Sequence, residues 1–247
     1  EETQSSVFFS RNPFSKSHKF YEQVKGTSYR LCNFPHLDAV YRVNPSTNEK
    51  DNTVLIFHPG GYRGVLSEPG DDQATCYCAQ KLFLEQVCIP LLEHGLKPLI
   101  KIHPLRALHH DLDDMEELVS EFEGQYHLAK GAIELIGPAE WHWQKAFHAS
   151  FILTFGSSAV YELWAAGLKN VLVCNFLGTS RSERFDFFED IFIRTHQEYL
   201  QGIKTFGSTS PSSGCLTGQV FESFSTLFRG NATQTVFAEL KNALQEV

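Results

Sequence analysis

From Thr53 to Asn175 short apolar runs alternate with longer stretches in which apolar residues recur every three or four positions. Thr53–Phe57 is a β-rich run. Ala79, Leu82, Phe83, Val87 and Leu91 then follow at helical spacing, with Gly95 as a C-terminal stop. Pro90 lies inside that pattern and is expected to kink or split the helix. Pro98–Ile102 predicts the second strand. Leu112, Met115, Leu118, Val119 and Phe122 predict an amphipathic helix closed near Gly124, and Ala132–Ile136 a third strand stopped by Gly137-Pro138. Glu140–Ala149 predicts a short helix, Phe151–Phe155 the fourth strand, Ser157–Ala166 a helix ended by Gly167, and Val171–Asn175 the fifth strand.

Strands alternating with helices imply right-handed crossovers and a parallel sheet covered on both faces. The expected class is α/β, a Rossmann-like parallel sheet of order 3-2-1-4-5 counted from Thr53. The first and fourth strands then lie side by side where the winding direction reverses. Outside this core the pattern weakens. Residues 1–30 lack sustained periodicity, Tyr29–Val43 reads as a connector, and Asn44–Asn52 is rich in turn formers. Arg184–Ile193 is aromatic and acidic and is expected to form a helix on the sheet. Gly207–Gly218 reads as a loop, and Phe221–Phe228 and Thr233–Val247 as terminal helices. The domain expectation is a connector or remnant of a preceding domain over residues 1–44 and one ligand-binding domain over residues 45–247.

A chain of 247 residues with 42% hydrophobic and 20% charged residues has enough apolar surface for a real core. Its net charge of −8 and lack of a basic tract argue against nucleic acid as a partner. No apolar run reaches the roughly 18 residues that span a bilayer, and no signal-peptide pattern opens the chain. The first residue is Glu1, not Met, as in a processed or truncated product. Cys32, Cys76, Cys78, Cys88, Cys174 and Cys215 show no framework spacing, and Cys76-x-Cys78 has the wrong gap for a zinc knuckle or a redox pair. Free thiols in a reducing, cytoplasmic setting are expected, with no metal and no cofactor. The sequon Asn231-Ala232-Thr233 is expected to be silent.

Three runs just past predicted strands carry the candidate chemistry. In a parallel sheet such positions converge on one crevice at the carboxyl edge. His58-Pro59-Gly60-Gly61-Tyr62-Arg63 follows the first strand. Its glycines let backbone approach a ligand, and Arg63 can pair with a phosphate, although a tight turn with a solvated arginine has the same sequence. Lys101-Ile102-His103-Pro104 ends the second strand. Alternation puts Lys101 and His103 on one side, and Pro104 fixes the backbone beyond. His103 is the candidate catalytic residue, a donor to the phosphate of a leaving group; a lone histidine that caps a strand end is the plainer reading. Gly156-Ser157-Ser158 opens the helix after the fourth strand. One serine suffices as a cap, while a second hydroxyl with free N–H groups makes an anion seat. Glu162, one turn on, could grip ribose hydroxyls.

With those residues in view, the chain resembles the C-terminal, donor-binding half of GT-B glycosyltransferases. The likeness is to capsule-type CMP-sialic acid and CMP-Kdo transferases, whose His-Pro and Ser-Ser motifs match His103-Pro104 and Ser157-Ser158. It extends to CDP-glycerol glycerophosphotransferases, whose Gly-x-Pro-x-x-Asp stretch matches Asn33-Phe34-Pro35-His36-Leu37-Asp38, with Asn33 in place of glycine. The resemblance covers roughly residues 30–180. It implies one half of a GT-B fold and transfer of a sugar or glycerol phosphate from a cytidine nucleotide to a glycan acceptor, as in polysaccharide and capsule biosynthesis. It implies Pro104, Ser157 and Ser158 around the nucleotide phosphate, and the strand-end reading adds His58, Gly60, Gly61, Arg63, Lys101, Gly156 and Glu162 as candidate ligand contacts. It also implies an acceptor domain elsewhere in the gene or on another chain, with any peripheral membrane association through that partner. Two other classes stay open: a UDP-sugar transferase or epimerase on the same fold, and a non-catalytic nucleotide-binding or interaction module.

Overall fold

The computed structural model describes residues 7–10, 28–31, 50–58, 73–102, 111–137, 140, 143–155, 157, 159–166, 168, 170–177, 192–208, 233, 234, 236–238 and 241. The chain forms two compact units. One gathers Glu1–Ser46, Tyr161–Lys169 and Thr217–Val247, and the other Thr47–Val160 and Asn170–Leu216.

In the first unit β1 (Val7–Ser10) pairs in parallel with β2 (Ser28–Leu31). This corrects the expectation of an irregular start and a connector from Tyr29. Each strand is four residues long, too short for alternation to stand out from a polar background. Residues 233, 234, 236–238 and 241 are helical, as expected, whereas Phe221–Phe228 lies outside the described residues.

The second unit holds the parallel sheet. Its strands are β3 (Thr53–Phe57), β4 (Lys97–Lys101), β5 (Glu134–Ile136), β6 (Phe151–Thr154), β7 (Val171–Cys174) and β8 (Phe192–Ile193). They lie in the order β5-β4-β3-β6-β7-β8, every neighbour parallel. The first five give the 3-2-1-4-5 order of an α/β Rossmann-like sheet. The sixth corrects the helix expected to reach Ile193: its last two residues instead extend the sheet beside Val173 and Cys174.

Alternation along the strands sorts the core. Val54, Ile56, Ile100, Ile102, Phe151, Leu153, Phe155, Leu172 and Cys174 join one cluster with Phe83, Leu84, Val87, Cys88 and Leu91 and with Met115, Leu118, Val119 and Phe122. The intervening residues Leu55, Leu99, Ile152, Val171 and Val173 are buried on the opposite face. There α4 (Trp143–His148) packs on β3 and buries Trp143, Ala146 and Phe147.

The helix after β3 is split, as Pro90 predicts. It runs as α1 (Gln73–Phe83), a π-helical turn over Leu84–Cys88, and α2 (Ile89–Glu93). Within the turn the Ile89 N–H reaches back to the Leu84 carbonyl. Pro90 has no N–H to give the Gln86 carbonyl one turn earlier. His196 Nε2 fills that position at 3.0 Å, and the Tyr199 hydroxyl donates to the Val87 carbonyl at 2.7 Å. Both donors lie on α6 (His196–Ser208), which the sequence reading missed. Its start carries a capping box: Glu198 N–H donates to Thr195 Oγ1, while Glu198 Oε2 accepts from the Arg194 and Thr195 N–H groups.

Two left-handed residues close helices. Gly95 (φ +72°) ends α2, with Leu96 N–H bonded to the Leu91 carbonyl. His127 (φ +54°) does the same after α3 (Asp111–Gln125), with Leu128 N–H on the Glu123 carbonyl. A β-carbon is strained in this region, so His127→Gly should stabilise the chain by about 0.5–1 kcal/mol. Urea melts read the change directly, and a destabilised variant would show that the imidazole makes contacts worth more than the strain.

Candidate functional site

From β3 the chain steps outward to β4 and β5, then returns to place β6 on the other side of β3. The winding reverses between β3 and β6, and open parallel sheets bind ligands beyond the carboxyl ends of such a pair. His58 follows β3, Lys101 ends β4 beside it, and Ser157 stands between β6 and α5 (Ala159–Ala165).

His58 is buried, at 2% exposure. Its N–H donates to the Lys101 carbonyl at 3.2 Å, and its ring Nε2 lies 2.7 Å from Gln80 Oε1 on α1. A carboxamide oxygen only accepts, so Nε2 carries the proton in this bond. The imidazole stands edge-on to Phe83 at 4.8 Å, Phe83 to Phe155 at 5.5 Å, and Phe155 to Phe176 at 5.7 Å. Phe176 in turn stacks on Tyr199 at 4.9 Å. An aromatic row thus backs the switch point from β3 across to α6.

Lys101 pairs in register with Phe57, and Phe57 with Thr154, so these three side chains share the α4 face. His58 sits against α1 on the other. The sequence reading brings both residues to one edge; the sheet puts them on opposite faces of it. Lys101 is 5% exposed, and its Nζ donates to the Gly137 carbonyl beyond β5 at 2.5 Å. Burial pushes the ammonium pKa down, with the Glu140 carboxylate opposing the shift. Ser157 Oγ accepts from the Ala159 N–H at 3.2 Å, and its carbonyl from the Val160 N–H at 3.3 Å. That hydroxyl caps the helix. Glu162 lies in the first turn of α5, half-buried, and belongs to the other unit. Gly60, Gly61, Arg63, His103, Pro104, Gly156 and Ser158 lie outside the described residues.

Sequence reasoning missed Gln80, Phe155, Phe176, Tyr199 and His196 as site neighbours. Only Gln80 carries a usable signal, a polar residue three positions before Phe83 on an otherwise apolar helix side. Cys88 and Cys174 lie near this row, fully buried, and burial pushes both thiols well above their usual pKa. They stay protonated and are poor nucleophiles. Burial raises the Tyr199 phenol as well. Among the described residues no group of three His, Cys, Asp or Glu side chains could hold a metal ion, and no helix is long and apolar enough to cross a membrane.

Comparison with known proteins finds no matching family model, no matching curated protein and no matching solved structure.

Proposed function

We propose that this chain binds a nucleotide-sugar at the β3–β6 switch point and is the donor-binding part of a glycosyltransferase acting on a glycan acceptor in the cytoplasm. One observation carries the reading: the reversal of winding falls between the two strands whose carboxyl ends lead into His58-Pro59-Gly60-Gly61 and Gly156-Ser157-Ser158. The glycines suit close approach of a diphosphate, the serines suit its oxygens, and His103, two residues past β4, is the proposed donor to the leaving phosphate. The cytidine base rests on the His-Pro and Ser-Ser resemblance.

Calorimetry with CMP, CDP, UDP and GDP tests this. CMP or CDP should bind, and His103→Ala and Ser158→Ala should each weaken binding by about 1–3 kcal/mol. Equal binding by both variants would remove the site assignment. A second reading, a binding module without transfer chemistry, is favoured by two bonds: Lys101 Nζ is held by the Gly137 carbonyl, and Ser157 Oγ by the Ala159 N–H. In that case no nucleotide binds, whereas preference for UDP moves the donor to another base.

A further inference from the structure

We draw no further inference here: the strongest candidate, the surface patch along α1 and the end of α3 where Tyr77, Leu82 and Tyr126 are exposed and the two phenols bond Glu121 and Glu85, carries nothing because nothing in the structure shows what covers it.

Discussion

Phe83→Ala should lower the free energy of unfolding by about 3–5 kcal/mol, the cost of emptying a well-packed aromatic site. Phe83 is fully buried, belongs to the main core cluster and meets two rings edge-on, His58 at 4.8 Å and Phe155 at 5.5 Å. Against a typical stability of about 5–15 kcal/mol, that is a large share of what keeps a domain folded. Phe83→Leu keeps most of the volume and should cost under about 1.5 kcal/mol. Urea denaturation decides this through the midpoint at constant slope. An alanine variant within 1 kcal/mol of the parent would mean that the surrounding chain collapses into the space, and that Phe83 does not hold His58 in place.

The same residue shows what the sequence made legible. Phe83 falls in the helical repeat with Ala79, Val87 and Leu91, so its place in the core follows from spacing. Most of the expected strands bury both faces and are largely apolar, which makes them easy to see, whereas β5 keeps Glu134 and Leu135 half-buried. Thr53–Phe57 is bounded as read. The others shift by one or two residues, because a strand ends where its neighbour stops pairing. Phe192–Ile193 escaped for the opposite reason. Two paired residues after Phe185–Ile191, a run of aromatic and acidic side chains, have no period to detect. The missed helix α6 did carry a signal, since Thr195-x-x-Glu198 is a capping box ahead of apolar Tyr199 and Ile203.

Side-chain partners were the least legible part. Lys101 meets a carbonyl 36 residues later, and His58 an amide 22 residues later on a helix whose start the periodicity placed too late. Neither bond leaves a mark in local spacing. The face on which each residue stands needed the register as well: Phe57 opposite Lys101 on one side and Thr154 on the other. Sequence reading thus placed His58 and Lys101 at the carboxyl ends of β3 and β4 without resolving how the sheet divides them between its faces.

Glu123→Ala should destabilise the chain by about 2–4 kcal/mol, through hydrogen bonding alone. Glu123 is 6% exposed near the end of α3, and its carboxylate accepts the Gly131 N–H at 3.1 Å and the Ile133 N–H at 3.0 Å. It therefore pins the turn that delivers β5 to the sheet, where Gly131 adopts φ +78°. Removing the carboxylate leaves two backbone donors to find water or go unpaired, at about 1–3 kcal/mol for a buried one. Glu123→Gln separates charge from geometry. It keeps one acceptor oxygen but turns an NH₂ toward the second N–H, so it should lose at least one bond and fall between parent and alanine. Hydrogen exchange gives a local reading: the Gly131 and Ile133 amides should lose protection in Glu123→Ala before the β3 amides do. If both amides exchange as slowly as in the parent, the turn is held by Leu128–Glu123 and Ala132–Ala129 backbone bonds alone, and the carboxylate is not what fixes β5.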